Sequence, residues 1–329
     1  MKQVLNNLFE HQTLSKMEAR DVLFNIALEK YTSSQVAAFL SVYLMRSVTV
    51  EELSGFREAL LDMCLKVKFD TDQTIDIVGT GGDGKDTFNI STLACFVVAG
   101  AGVTVTKHGN YGVSSVNGSS NILEAIGYRF TNDRATLQKQ LDKAGICFLH
   151  APLFHPAMKS VAPVRKELGV RTFFNMLGPI VNPSLPTYQL LGVYNLEMAR
   201  LYHYMLQQTS AKYTIVHSLD GFDEVSLTSD FKIYSSKKEQ LIELSSIGFN
   251  KLEQQALYGG ATIDAAAKLF LSVLNGEGTT AQNNTVIVNA ALALQTVHFE
   301  QSFSDCLLQA KESLESKKAL KAYQSLINN

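Results

Sequence analysis

The chain has 329 residues, 46% of them hydrophobic, and a formal net charge of -2. That length supports a sizeable core and two domains, while the near-neutral balance gives no overall pull toward nucleic acid or an anionic membrane, so neither is an expected partner. Cys64, Cys95, Cys147 and Cys306 stand far apart with no C-x-x-C spacing, which reads as thiols of a reducing compartment rather than disulfides or zinc ligands. The opening MKQVLNNLFEHQTLS lacks the apolar core of a signal peptide. The longest apolar stretch, Leu93 to Val105, is too short to span a bilayer and is interrupted by Gly100 and Gly102. A soluble cytoplasmic protein is expected.

Up to about Lys68, LSKMEARDVLFNIAL, SSQVAAFLSVYLMRS and TVEELSGFREALLDMCLKV place apolar residues three and four apart, the spacing of amphipathic helices. Ser33 or Ser34 starts the second, and Thr49 with Glu52 forms a capping box for the third. Three short helices joined by tight turns predict a small helical domain over residues 1–70, leaving 71–329 as a larger domain. There the texture changes. IDIV (Ile75 to Val78) is a short strand meeting a glycine-rich loop, STLACFVVAGAG a buried helix, VTVT (Val103 to Thr106) a strand, and KHGNYGVSSVNGSS a second loop. ILEAIGYRF and RATLQKQLDKAGI follow as helices, CFLHA as a strand, then YQLLGVY and YTIVHSL as strands around the helical LEMARLYHYMLQQ. KIYSSKKEQLIELSSIGF reads as an antiparallel excursion, and three helical segments close the chain from about Ile263. Alternating strands and helices predict an α/β domain with a mainly parallel central sheet, whose ligands sit in loops at the carboxyl ends of strands. ELGVRTFFNMLGPIVNP, dense in Gly and Pro, reads as a crossing between domains, and part of 150–180 is expected to join the helical one.

Asp76 to Thr92, DIVGTGGDGKDTFNIST, satisfies two phosphate-loop patterns incompletely. As a dinucleotide fingerprint through Gly79, Gly81 and Gly84, it requires an acid at the end of the next strand, where Lys107 and His108 stand instead. As a P-loop ending in Lys85, it lacks the following hydroxyl, because Asp86 occupies that place. A third reading uses more residues. Gly79, Gly81 and Gly82 allow close backbone approach, and Asn89, Ser91 and Thr92 stand at a helix start, whose N–H groups favour an anion. Ser91 either caps that helix or turns its hydroxyl to a metal; the plainer alternative is a glycine turn followed by an N-cap. The second loop favours the anion. Lys107 brings charge, Gly109 a tight turn, and Asn110, Ser114, Ser115 and Ser119 short hydrogen-bonding groups, together the donor set of a diphosphate site. SLDGFDEVSLT then carries Asp220, Asp223 and Glu224, acids that either reach one cation such as Mg2+ or form a solvated cluster. HAPLFHPAMKSVAPVRKELG adds His150, His155, Lys159 and Arg165. The histidine spacing is not that of a helical metal pair, whereas an arginine facing a cleft clamps a carboxylate.

Taken in order, GTGGDG-x-x-TFNIST, KHGN-x-x-VSS-x-x-GSSNILEAIG, HPAMK-x-V-x-PVRKELGVRTFFNMLGP-x-x-NP, QLLGVY and DGFDE resemble the anthranilate phosphoribosyltransferase family along most of the chain. The resemblance implies a nucleoside phosphorylase/phosphoribosyltransferase-like fold, a homodimer, and an active site between the two domains. It further implies Mg2+-dependent transfer of phosphoribose from phosphoribosyl pyrophosphate (PRPP) to the amine of anthranilate, in tryptophan biosynthesis. Carried over by motif, Gly79, Gly82, Asp83, Thr87, Asn89, Ile90, Ser91, Thr92, Lys107, His108, Gly109, Asn110, Ser114, Ser115 and Ser119 hold PRPP. Gly79, His108, Asn110, Pro152, His155, Arg165 and Gly178 line the anthranilate path, with Arg165 on the carboxylate. Ser91, Asp223 and Glu224 serve the metal. Lys107 is expected to stabilise the leaving pyrophosphate, and His108 is the one candidate general base, with no local carboxylate in the sequence to orient it. Two departures stand out: the family usually reads KHGNR where Tyr111 stands here, and its strand before HPAM more often ends in an aromatic residue where His150 stands. Pyrimidine nucleoside phosphorylases share the plan, and a non-catalytic nucleic-acid-binding paralogue is the rival from another class. The KHGN motif and the acids Asp223 and Glu224 weigh against both.

Overall fold

In the computed structural model, which describes residues 1–112 and 118–328, four helices rather than three open the chain: Lys2–Phe9, Lys16–Ala27, Ser33–Met45 and Val50–Met63. The first escapes the sequence reading because it has only eight residues and no side-chain cap. The other three begin with complete capping boxes, Ser15 with Glu18, Thr32 with Gln35, and Thr49 with Glu52. The second cap is thus Thr32, just before the expected Ser33 or Ser34, because only Thr32 stands three residues before a glutamine that reaches back.

Glu52 does more than cap. Its buried carboxylate accepts the N–H groups of Leu14 and Thr49, the Tyr43 hydroxyl and two Arg46 nitrogens, the latter at 2.9 and 2.5 Å. One side chain thereby ties two helices to the loop before Lys16. Residues Met1–Val67 form one unit with Ala151–Leu185. Phe173 explains why the later segment belongs there: its ring stacks on Phe56 with centroids 4.4 Å apart and meets Phe39 and Tyr43 edge-on. Such pairs add roughly 1 kcal/mol each beyond their buried area. Arg57 adds a hydrogen bond from Nε to the Ile180 carbonyl at 2.8 Å.

Lys68–His150 and Pro186–Asn329 form the second unit. Its sheet comprises β1 (Ile75–Gly79), β2 (Val105–Gly109), β3 (Ile146–His150), β4 (Tyr188–Gly192), β5 (Lys212–Ser218), β6 (Phe231–Ser235) and β7 (Glu239–Ile242), in the order β3-β2-β1-β4-β5-β6-β7. The first five strands run parallel and the last two antiparallel, so the expected excursion is a hairpin. Strand β2 runs to Gly109, placing Lys107 and His108 in the sheet rather than in a loop. The helix Ile90–Gly100 is buried on nearly every side, covered by the helices Thr280–Val297 and Lys318–Ile327. Four closing helices are present instead of three, since Lys317, at φ 65°, breaks Phe303–Glu315 from Lys318–Ile327.

From β1 the chain builds outward to β2 and β3, then returns to place β4 and β5 on the other side. The order reverses between β1 and β4, where the crevice of an open α/β sheet opens at the strands' carboxyl ends. Gly79 and Gly192 face each other at that point.

Candidate functional site

The site of the larger unit grows from those two glycines. A β-carbon on Gly192 would lie 1.6 Å from the Asp223 carbonyl oxygen, and one on Gly79 would lie 2.3 Å from Asp223 Oδ2. The loop after β5 therefore crosses the ends of β1 and β4 only because neither residue has a side chain. Beyond Gly79 the turn uses left-handed backbone at Gly81, Gly82 and Gly84, with φ of 63°, 75° and 73°. The Gly81 N–H then donates to Asp223 Oδ2 at 2.7 Å, and the Ser91 N–H to Glu224 Oε1 at 2.9 Å. Between them Thr87 bridges to Tyr258, and the Phe88 N–H donates to the Leu257 carbonyl, holding the loop open before the helix begins at Ile90.

The anion-favouring start of that helix thus already receives a carboxylate, Glu224, from within the protein. Asn89 is the N-cap, and its side chain makes no capping bond. Thr92 is buried one turn inside. Burial, and then the neighbouring Asp83, push the Asp223 carboxyl above its ordinary range; burial, and then Asp223, do the same to Glu224. Acids crowded in this way favour either a shared proton or a cation. Among the described residues no group of three or more His, Cys, Asp or Glu side chains closes around an ion position. Asp220 stands apart, its two oxygens accepting the hydroxyls of Thr228 and Ser229.

Lys107 is buried and its Nζ donates to the Ile77 carbonyl at 2.5 Å, directly beneath the start of the glycine turn. The His108 N–H donates to Asp76 Oδ1 at 3.1 Å. A carboxylate does lie beside His108, then, but this bond engages its main chain. Past the strand, Gly109 lets Ser119 approach: a β-carbon there would be 2.6 Å from Ser119 Oγ. The Asn110 carbonyl accepts from Ser119 Oγ and the Ser120 N–H, and the Gly112 N–H donates to Asn121 Oδ1. Ser114 and Ser115 lie outside the described residues.

The remaining expected residues belong to the helical unit. Pro152 lies in the short helix Ala151–Phe154, and Gly178 begins the 3-10 turn Gly178–Ile180. His155 is buried with Nε2 2.9 Å from the Val181 carbonyl, and burial pushes its pKa down to about 4. Arg165, on the helix Ala162–Leu168, lies over the Phe174 ring at 5.3 Å and donates from Nη2 to Asn175 Oδ1 at 3.2 Å. It is half-buried, and desolvation lowers its pKa.

Three residues outside the sequence reading shape these sites. Asp76 anchors the main chain of β2, Asn175 orients Arg165, and Asn289 pins the acidic loop by accepting from the Val225 N–H and donating to the Val225 carbonyl. Asn289 leaves a trace in the sequence, since a buried amide within TVIVNAALAL needs a partner.

Residues 2–64 match the helical bundle domain of the glycosyl transferase family, and residues 71–320 match its a/b domain. The chain is similar to the anthranilate phosphoribosyltransferase of Flavobacterium johnsoniae, at 56% identity over 99% of this chain and 98% of that protein. It is also similar to that of Bacteroides thetaiotaomicron, at 54% identity over 99% and 98%. Among solved structures, the anthranilate phosphoribosyltransferase of Thermus thermophilus matches with a TM-score of 0.92 at 30% identity, covering 98% of both chains. The Saccharomyces cerevisiae enzyme in complex with PRPP and Mg matches with a TM-score of 0.90 at 27% identity, covering 98% of this chain and 96% of that one.

Proposed function

Because the chain belongs to the anthranilate phosphoribosyltransferase family, we propose that it transfers the phosphoribosyl group of PRPP to the amine of anthranilate, releasing pyrophosphate in tryptophan biosynthesis. The observation that carries the reading within the molecule is the seating of Asp223 and Glu224 on the N–H groups of Gly81 and Ser91, at the sheet's switch point. This arrangement brings the two acids to the glycine turn, where a diphosphate and its cation are expected.

The donor set fits Mg2+. The carboxylates are hard oxygen ligands whose mutual repulsion a divalent ion relieves, and Mg2+ completes its shell with water and substrate oxygens. Asp223 and Glu224, with the Ser91 hydroxyl, would hold it, and when bound it neutralises charge on the diphosphate. The protein's own part is positioning and electrostatics. As the bond from the ribose C1 to pyrophosphate breaks, negative charge grows on the leaving oxygens, and the Lys107 charge beneath the turn favours it. The aryl amine of anthranilate is neutral and attacks without prior proton removal, so the mechanism asks little of His108. Arg165 orients the acceptor by its carboxylate; alignment of this kind supplies several kcal/mol of rate.

The working state we propose is a cytoplasmic homodimer, which the family resemblance implies and sedimentation would check. The direct test of activity mixes protein, PRPP, Mg2+ and anthranilate and follows the loss of anthranilate fluorescence. Folded protein that leaves the fluorescence unchanged refutes the assignment. The nucleoside phosphorylase and nucleic-acid-binding alternatives are not favoured, since the relatives aligned over the full chain carry the phosphoribosyltransferase name.

A further inference from the structure

Tyr111 and His150 touch each other at the end of the sheet. Strands β2 and β3 pair Gly109 with His150, which brings the end of β3 beside the turn that carries Asn110 and Tyr111. The His150 ring stacks on Phe130, with centroids 4.3 Å apart and planes at 17°, and meets the Tyr111 ring at 4.8 Å and 81°. Its Nδ1 shares a hydrogen bond with Ser120 Oγ at 2.9 Å. Phe130 in turn packs edge-on against Tyr128, and Tyr128 against Phe148 of β3. A column of rings therefore runs from the sheet out to the turn.

At its outer end the Tyr111 hydroxyl donates to Glu124 Oε1 at 2.8 Å, on the helix Ser119–Ala125. The preceding residue, Asn110, is held by the same helix through Ser119 and Ser120, and its Oδ1 accepts the Tyr111 N–H at 2.8 Å. The short segment around Asn110 is thus gripped from the ring side by His150 and from the helix side by Glu124. A tyrosine supplies no positive charge. What it adds is an aromatic contact and one directed hydrogen bond, both of which restrict the turn before any ligand arrives.

We propose that Tyr111, seated between His150 and Glu124, is a positioning residue that pre-orders Gly109 and Asn110 for PRPP. This rests on the proposed reading of the second loop as part of the PRPP site. Ordering that the free protein lacks must be supplied during binding, so its loss falls on affinity more than on the chemical step.

The test compares wild type with Tyr111→Ala, Tyr111→Phe, His150→Ala, His150→Phe and the double alanine variant. It measures KM for PRPP, kcat and the thermal midpoint. Tyr111→Ala and His150→Ala are expected to raise KM for PRPP about tenfold, with kcat changed less than about twofold. The double variant is expected to be no worse than either single one, as coupled neighbours behave. Tyr111→Phe and His150→Phe, which keep the rings, should recover to within about threefold of wild type. An inactive wild type overturns the underlying reading of function. An active wild type overturns the positioning role alone if Tyr111→Ala leaves KM for PRPP unchanged, or if the two alanine effects multiply as for independent sites.

Discussion

Replacing Gly192 with alanine puts a methyl group where the acidic loop passes closest to the sheet. Its β-carbon would lie 1.6 Å from the Asp223 carbonyl oxygen and 2.8 Å from the carbonyl carbon. Ordinary contact begins near 3.4 Å, so the loop must retreat by roughly 1.8 Å. Gly192 is not among the positive-φ glycines, so alanine is not barred by left-handed backbone and the effect is one of space. The retreat separates Asp223 from the Gly81 N–H, now at 2.7 Å, and strains the Glu224 contact with Ser91, now at 2.9 Å. A misplacement of about 1 Å costs on the order of 100-fold in rate, equivalent to about 2.7 kcal/mol of barrier. Gly192→Ala is therefore expected to lose about 100-fold or more in kcat/KM for PRPP, with the Mg2+ concentration for half activity shifted upward. Steady-state kinetics across Mg2+ concentrations, with circular dichroism to verify folding, make the measurement. A folded variant within about threefold of wild type and with the same Mg2+ midpoint refutes the reasoning.

Arg165→Ala is expected to raise KM for anthranilate about tenfold to a hundredfold, the range for hydrogen bonds to a charged group, and to leave KM for PRPP nearly unchanged; equal damage to both contradicts the clamp. Glu52→Gln leaves Arg46 without its buried partner and should lower stability by about 3 kcal/mol, read from urea unfolding. Burial opposes the Glu52 charge, but the Arg46 hydrogen bonds and the amides of Leu14 and Thr49 outweigh it and hold the carboxyl below its usual range. Its contribution is thus full above the unfolded-state value and disappears as pH falls through the lower folded one; a gap between wild type and variant that does not narrow in acid counts against this. His155 has the same sign for a different reason, its ring being kept neutral by burial with a pKa near 4 against 6.5 when free. Wild type should lose stability as pH falls between those values, because the unfolded chain takes up the proton first. His155→Asn should lack that part of the slope, and parallel pH profiles would show that His155 is not responsible.

Much of the architecture is legible in the sequence because it is written locally. Thr49 and Glu52 announce a helix start within four letters, and alternating apolar runs and glycine turns announce a parallel sheet. The failures come where a distant partner overrides local texture. Lys107 and His108 look like loop residues after VTVT, since a lysine rarely sits inside a strand. They lie inside this one because β1 offers the Ile77 carbonyl to the ammonium and Asp76 to the following N–H. The segment 170–185 reads as an irregular crossing. Its place in the helical unit depends on Phe173 meeting Phe39, Tyr43 and Phe56, more than a hundred residues earlier in the chain. The acids Asp223 and Glu224 are visible as a pair, but their seats are not, because those seats are absent side chains at Gly79 and Gly192 and the main-chain N–H groups of Gly81 and Ser91.

The glycine turn itself acquires a meaning that neither phosphate-loop pattern carries. Two of the N–H groups an anion would use, at Gly81 and Ser91, donate to Asp223 and Glu224. A phosphate approaching this wall without a cation meets acids rather than free donors, and like charges at close range in a partly buried site repel. On the proposed function, the turn therefore serves first to fix two acids and only through them to engage a diphosphate. This accounts for Asp83 inside the loop, a residue that a pure phosphate cradle would exclude: it belongs to the acidic group, raising the Asp223 pKa and strengthening the demand for a cation. Metal dependence is then a property of the glycine turn and the acidic loop together.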